Sequence, residues 1–235
     1  MANVPLNREA ILAGHFVLRH LRPEELSRVA ANAALVHHKA RATIFQKGDT
    51  GASLMAVVSG RVKICTFAPD GREIILNYID CGNLFGEIAL LDGQPRSADA
   101  VALEDTDLLV LARARLMPVL TANPDTAAMM ITVLCQRLRQ TSEALEDALL
   151  RDAPSRVARG LLRLARTFGK SDEAGHVRID IKLSQQQLGS LIGITRESIN
   201  KYVVEWSRAG YLAVKGGFIT IHDRDVLERL SEAES

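Results

Sequence analysis

The pattern of residues predicts an α+β chain. An all-β sandwich, roll or barrel comes first, then one long helix, then a small C-terminal α/β unit. Three observations carry this. From Ala42 to Leu111 short apolar and β-branched stretches alternate with turn signals every ten or so residues. From Asp125 to Asp152 there is neither Gly nor Pro, so about 28 residues can be helical, roughly 42 Å long. Charge also changes sign along the chain. Up to Asp152 there are 16 basic and 18 acidic residues, and from Ala153 to His222 there are 11 and 5. The last 13 residues are acidic-rich and return the total to +1. A mildly acidic first part and a basic second part fit a sensor joined to something that touches a polyanion, or simply a solvated basic face.

The bulk composition is that of a folded globular protein. Of 235 residues 47 % are apolar and 24 % charged, which supplies a core and excludes a disordered chain. No apolar run approaches the roughly 18 residues that span a bilayer. The opening MANVPLNREA carries Arg8 and Glu9 and does not read as a secretory signal. Cys65, Cys81 and Cys135 lie 16 and 54 residues apart without a Cys-x-x-Cys. That spacing excludes a disulfide scaffold, a zinc ribbon and clustered iron–sulfur ligation, and a reducing cytoplasm is the expected location.

Residues 1–40 read as amphipathic helix, with Pro23, Glu24 and Glu25 placed in a first turn as the helix dipole favours. Strands are expected at Leu54–Val58, Arg61–Phe67, Glu73–Ile79, Ala98–Leu103 and Asp107–Leu111. Turns are expected at Lys47-Gly48-Asp49, Ser59-Gly60, Pro69-Asp70-Gly71, Cys81-Gly82-Asn83 and Asp92-Gly93. With 6 Phe, 3 Tyr and 1 Trp in the whole chain, aliphatic side chains must fill this β unit. In the long helix Ile131, Leu134, Leu138, Thr141, Leu145 and Ala148 step by 3, 4, 3, 4 and 3, which is a heptad seam. The seam fits a parallel dimer coiled coil, or a helix packed on its own domain. Thr141, with Ser142 beside it, is polar where an apolar residue belongs, and such a position sets register or binds something. Ala153-Pro154 is read as the end of the helix and a hinge.

The remainder begins with a helix at Ser155–Phe168 and a strand at Val177–Ile181. Ser184 to Gln187 has the pattern of a capping box opening the next helix, which carries Leu188, Leu191 and Ile192. Gly193-Ile194 makes a tight turn and Thr195 caps the helix after it. There Ile199, Tyr202, Val203 and Trp206 fall on one face, while Arg196, Glu197, Asn200 and Lys201 share the opposite one. Tyr211–Val214, Lys215-Gly216-Gly217 and Phe218–Ile221 read as a hairpin. Two helices joined by a glycine turn, with polar residues crowding the start of the second, make a helix-turn-helix. The chemistry suits DNA: Arg and Lys donate to guanine, Glu accepts from cytosine, and Asn pairs with adenine. The hairpin would be a wing, with Lys215 near phosphate. A helical hairpin in a protein-binding module is the alternative.

A second constellation runs from Phe85-Gly86-Glu87-Ile88-Ala89 to Arg96-Ser97-Ala98. Gly86 permits close backbone approach, and the residues after it can open a short helix whose N–H groups favour an anion. Arg96 brings a forked cation for phosphate, Ser97 a hydroxyl, and Glu87 an acceptor for a ribose hydroxyl. The alternative is a surface ion pair between Arg96 and Glu87.

Together these segments resemble the cyclic-AMP receptor protein family of bacterial transcription regulators. The motifs are the cassette 85–98, Arg137 to Glu143 in the long helix, and Thr195 to Lys201 in the second helix of the pair. The resemblance covers nearly the whole chain in order. It implies a jelly-roll-like cyclic-nucleotide-binding β-roll with flanking helices at 1–124, a dimerisation helix and hinge at 125–153, and a winged helix-turn-helix at 154–235. Gly86 and Glu87 would hold the ribose side of a cyclic purine nucleotide and Arg96 and Ser97 its phosphate, with Ile88 and Ala89 also lining the ligand. Arg137 would link phosphate and Glu87, and Thr141 and Ser142 would meet the base, one from each subunit. Ser184, Gln185, Thr195, Arg196, Glu197, Ser198, Asn200, Lys201 and Lys215 would face DNA.

The function implied is a non-enzymatic cytoplasmic homodimer that binds palindromic promoter DNA in response to cAMP and contacts RNA polymerase. A regulator responding to cGMP, or to both nucleotides, is the alternative, since hydroxyls at 141 and 142 suit adenine and guanine equally. A nucleotide-processing enzyme using Glu87 as base is a remote alternative, because no nucleophile–base pair or metal set accompanies it. No cysteine precedes Cys65 and no histidine lies between His38 and His176, so neither the iron–sulfur nor the haem variant of the family is expected, nor a metal. Lys201 stands where the best-known members carry arginine, and its ammonium cannot repeat a bidentate contact.

Overall fold

The computed structural model describes residues 7–15 and 17–232. By internal contacts the chain divides into two compact units. One is Met1–Ala68 with Ile75–Arg139, and the other is Pro69–Ile74 with Gln140–Ser235.

The first unit opens with α1 (Arg8–Gly14) and α2 (Pro23–Ala31), where Pro23 occupies the first turn with Glu24 and Glu25 as expected. The helical expectation for residues 1–40 then fails at its end. Ala34–His38 is a strand, β1, because residues 34–38 pair along their whole length with Thr106–Val110. The heart of the unit is β2 (Thr43–Phe45), β3 (Ser53–Ser59), β4 (Arg61–Phe67), β5 (Glu73–Asp80), β6 (Leu84–Phe85), α3 (Glu87–Asp92), β7 (Asp99–Ala102) and β8 (Thr106–Ala112). Two four-stranded sheets result, in orders β1-β8-β3-β6 and β2-β7-β4-β5. All five expected strands are present. β2 and β6 lacked a signal because at 3 and 2 residues they are too short for alternation to show.

Aliphatic residues fill this roll, as the scarcity of aromatics required. Met55, Val57, Val62, Ile79, Phe85, Ala100 and Leu108 form the core shared by the two sheets. On β3 the alternate residues Leu54 and Ala56 point the other way, into a second core with Leu12, Leu18, Val29, Leu109 and Leu116. Helix α4 (Arg113–Ala122), which the sequence reading passed over, and α5 (Pro124–Leu150) close that layer. Met130 is buried there, with Met129 and Val133 packed against it, so the start of α5 does pack on its own domain. Farther along, Ile131, Leu138, Leu145, Leu149 and Leu150 are 59–72 % exposed in the single chain.

Ala153 and Pro154 do not end α5. They open α6 (Ala153–Phe168), whose N-cap Asp152 accepts the Ser155 N–H at 3.0 Å. Proline lacks the N–H that a first turn leaves unpaired anyway. The second unit continues with β9 (Gly169–Ser171), β10 (Val177–Ile179), α7 (Gln185–Ile192), α8 (Arg196–Arg208), β11 (Leu212–Lys215), β12 (Phe218–Ile221) and α9 (Arg224–Glu232). Its sheet order is β11-β12-β10-β9, antiparallel throughout. Leu161 of α6, Leu188 of α7, Ile199, Val203 and Trp206 of α8 and Leu227 of α9 are all buried. The two-residue Gly216-Gly217 turn of the β11–β12 hairpin has both φ positive, at 61° and 87°, as a tight right-twisted hairpin needs. Among the described residues no helix is long and apolar enough to cross a membrane.

Candidate functional site

The cassette is built on the exit of β6. Gly86 follows Phe85 with φ +83°, a conformation in which a Cβ is strained, and starts α3 at Glu87. A Cβ there would also lie 2.6 Å from the Arg96 Nη1 and 3.2 Å from the Ser53 carbonyl. Glycine is therefore required twice over, by backbone and by neighbours.

Arg96 is the centre of the site and is 4 % exposed. Its own backbone is clamped to the β2–β3 loop: its N–H donates to Asp49 O at 2.8 Å and its carbonyl accepts from Gly48 N at 2.8 Å. The guanidinium donates through Nη1 to Gly86 O (2.9 Å) and through Nη2 to Ser53 O (2.9 Å) and Ser53 Oγ (3.0 Å). It also stands 4.3 Å from the centre of the Phe45 ring. Its Nε is buried with no hydrogen-bond partner among the described residues. Burial pulls the Arg96 pKa down, and the nearby negative charges of Asp49 and Glu87 pull it back up. Arginine stays charged regardless. The site thus holds a buried cation whose direct partners are neutral oxygens.

Glu87, at 5 % exposed, does not pair with Arg96. Its Oε1 lies 3.4 Å from Nε of Arg137 on α5, and Arg137 Nη2 donates to Leu84 O at 3.4 Å. The surface-ion-pair alternative fails for two reasons: both groups are buried, and α5 supplies Glu87 with a different cation. The structure brings Gly86, Glu87, Arg96 and Arg137 together. Ile88 and Ser97 are exposed beside them, whereas the Ala89 side chain is buried. Thr141 and Ser142 lie exposed on α5, four and five residues beyond Arg137.

Two residues escaped the sequence reading. Ser53 orients Arg96, and Gly51 lets the loop approach α3, since a Cβ on it would sit 2.1 Å from that of Ala89. Gly51 lies two residues beyond the expected turn Lys47-Gly48-Asp49, and nothing in the sequence announced what it would touch.

In the second unit the capping box forms as read: Ser184 Oγ accepts from Gln187 N at 3.1 Å and Gln187 Oε1 from Ser184 N at 2.9 Å. Thr195 Oγ1 accepts from Ser198 N at 3.2 Å and contacts Ser198 Oγ at 3.1 Å, so both hydroxyls are engaged in capping α8. The α7–α8 turn depends on Gly189, where a Cβ would lie 2.7 Å from Ile194 O. Arg156 of α6 holds the same turn by donating to Ile192 O (3.0 Å) and Gly193 O (2.7 Å). Neither residue was singled out from sequence. Arg196, Glu197, Asn200 and Lys201 are exposed on the face opposite Ile199, Val203 and Trp206, and Lys215 is exposed at the end of β11. Lys201 Nζ lies 5.1 Å from the Tyr202 ring centre, and Gln185 Nε2 donates to Asn200 Oδ1 at 2.9 Å.

Comparison with known proteins agrees with this geometry. The cyclic nucleotide-binding domain family matches residues 35–123, and the Crp-like helix-turn-helix domain family matches residues 155–230. The CRP-like cAMP-activated global transcriptional regulator of Mycobacterium tuberculosis is 31 % identical over 221 residues, covering 94 % of this chain and 98 % of that protein. The cyclic AMP receptor protein of Thermus thermophilus is 32 % identical over 189 residues, covering 80 % and 83 %. The solved structure of FixK2 from Bradyrhizobium japonicum shares the fold with a TM-score of 0.76 at 21 % identity, covering 86 % of this chain and 99 % of that one. A cyclic-nucleotide-binding β-roll followed by a winged helix-turn-helix defines a ligand-responsive transcription regulator, not an enzyme. The chain belongs to the cyclic-AMP receptor protein family.

Proposed function

We propose that the protein is a homodimeric regulator that binds cAMP in the Arg96 cassette and, so loaded, binds palindromic promoter DNA and contacts RNA polymerase. The observation that carries this reading is the state of Arg96. A buried guanidinium with an unpaired Nε–H and no carboxylate in ion-pair contact, among the described residues, is a site prepared for an anion. Glu87, a buried carboxylate held by Arg137, stands in the same cassette as the acceptor for a ribose hydroxyl. Ser97 adds a hydroxyl beside the phosphate, while Gly86, Ile88 and Ala89 offer backbone rather than side-chain contact.

The exposed leucines of α5 support the dimer. Ile131, Leu138 and Leu145 repeat every seven residues and are 60 %, 67 % and 59 % exposed in the isolated chain, a stripe that a second copy would cover. Thr141 falls on that seam with Ser142 beside it, and the two would meet the base, one from each subunit. On DNA, Arg196 would donate to guanine, Glu197 accept from cytosine, and Lys201 and Lys215 contact phosphate, with Ser184, Thr195 and Ser198 capping the two helices. No bond is made or broken. Ligand acts by binding the DNA-competent arrangement better than the alternative. Calorimetric titration of the full chain with cAMP and with cGMP tests the reading. Tighter binding of cAMP is expected, tighter binding of cGMP would reassign the ligand, and binding of neither would remove the ligand reading.

A further inference from the structure

We infer that Gln185 is a positioning residue for base readout: by donating to Asn200 it fixes which way the Asn200 amide faces, and so gives the protein a preference for adenine. This inference rests on the DNA-binding reading above.

The two side chains come from different helices. Gln185 is the first residue of α7, and Asn200 lies one turn along α8 from Arg196, on the exposed face. Gln185 Nε2 donates to Asn200 Oδ1 at 2.9 Å. An unrestrained asparagine amide can turn over and exchange its donor and acceptor ends, so alone it discriminates weakly. With Gln185 oriented as the donor, as it stands in the structure, the oxygen end is tied to the α7 side and Nδ2 is left with its two protons open. It also leaves the second lone pair of Oδ1 free. An outward donor beside an acceptor complements the major-groove edge of adenine, which offers N7 as acceptor and the N6 amine as donor. Guanine presents acceptors at both N7 and O6, and cytosine presents only its N4 amine. The pair is exposed and shared by both helices of the motif, so its value lies in selecting a base rather than in holding the fold.

The test is selection from a random-sequence duplex pool by the full-length protein with cyclic nucleotide present, for the wild type, Asn200→Ala, Gln185→Ala and Gln185→Glu. The wild type is expected to enrich one adenine per half-site, by about 5- to 150-fold over other bases, the range of a bidentate contact. Asn200→Ala should erase that preference, and Gln185→Ala should reduce it. Gln185→Glu is the sharper variant. A carboxylate can only accept, so it would draw Nδ2 inward and leave Oδ1 alone facing the groove. Adenine and cytosine, which both present an exocyclic amine, should then be selected about equally. The added negative charge lowers overall affinity but not this ratio. Unchanged thermal unfolding would show that the three variants fold. If the wild type enriches a site and neither Gln185 variant alters its base profile, the inference is wrong and the DNA-binding reading stands. If the wild type enriches no sequence, the DNA-binding reading fails and takes the inference with it.

Discussion

In the cassette the charges proposed to meet ligand are buried and locked: Arg96 is 4 % and Glu87 5 % exposed, and each of the two Arg96 Nη groups is held by protein oxygens. On α8 the charges proposed to meet DNA are exposed, and neither Arg196 nor Glu197 makes a side-chain hydrogen bond among the described residues. On the proposed reading, the contrast separates two ways of recognising an anion. A small ligand must be met by groups already desolvated and oriented when the protein folds, because it brings too little contact area to organise them. A DNA duplex supplies its own charge and area, so the reading side chains can remain hydrated until contact and order then. Affinity for nucleotide should accordingly depend weakly on salt, and affinity for DNA strongly.

The largest break in this comparison is Arg96→Ala. It removes a charge that makes charge-assisted contacts of about 1.5–3 kcal/mol each, so a loss of more than 3 kcal/mol in nucleotide affinity is expected. Arg96→Lys should fail to rescue it, because one ammonium cannot donate to Gly86 O and Ser53 O while still facing a phosphate. Calorimetry on the purified variants reads both, and retained affinity in Arg96→Ala would mean that the arginine is structural. Next in size is Arg196→Ala on the open face. It should cost about 1–3 kcal/mol on a specific site, with relaxed selection at one guanine per half-site. Equal loss on specific and random duplex would make Arg196 a phosphate contact only.

The same contrast explains what could be read before the structure. The α8 face was legible because an exposed surface needs only a helical period: Ile199, Val203 and Trp206 fixed the buried side, and the opposite side followed. Gly86, Glu87 and Arg96 were legible as residue types, and the family resemblance joined Arg137 to Glu87, but residue types alone left a Glu87–Arg96 surface pair open. The fold delivers Arg137 from 50 residues away to Glu87, and also Ser53 from 43 residues away to Arg96, a partner with no sequence signal. Such partners are chosen by the sheet register, which periodicity does not reveal. Likewise β1 read as helix because Leu35-Val36-His37-His38 carries no turn signal of its own. Its pairing with β8 decided the matter.

The long helix is intermediate, since its seam is apolar and exposed while Thr141 is polar. Thr141→Leu should complete the seam and strengthen the dimer by about 1 kcal/mol, raising DNA binding without nucleotide. Thr141→Ala should weaken discrimination between cAMP and cGMP. Sedimentation and duplex binding with and without each nucleotide measure both effects. If both variants keep wild-type affinity and ligand dependence, Thr141 only sets helix register.

The smallest expected effect comes from a buried charge that is already satisfied, and it tests whether burial alone makes a site. Glu25 of α2 is 2 % exposed, yet it accepts from the Arg22 side chain, the Arg22 backbone N–H at 3.1 Å and Asn123 Nδ2 at 3.1 Å. Asn123 Oδ1 in turn accepts from Thr126 N at 3.1 Å, so the acid is tied to the first turn of α5. The Arg22 side chain, then its backbone N–H, then Asn123 hold the Glu25 carboxyl down from 4.5 to about 2. Because the folded-state value is the lower one, the stabilisation is complete above the unfolded value near 4.5 and is lost as pH falls through about 2. Thermal unfolding should therefore show a stability loss between those limits that is shallower in Glu25→Gln. Calorimetry at neutral pH should find the nucleotide affinity of that variant unchanged. Arg96→Ala should do the reverse, abolishing nucleotide binding while keeping the acid-limb slope. A Glu25→Gln variant that bound nucleotide as poorly as Arg96→Ala would show that the first turn of α5 is part of the ligand site, and would overturn the distinction between a satisfied buried charge and a waiting one.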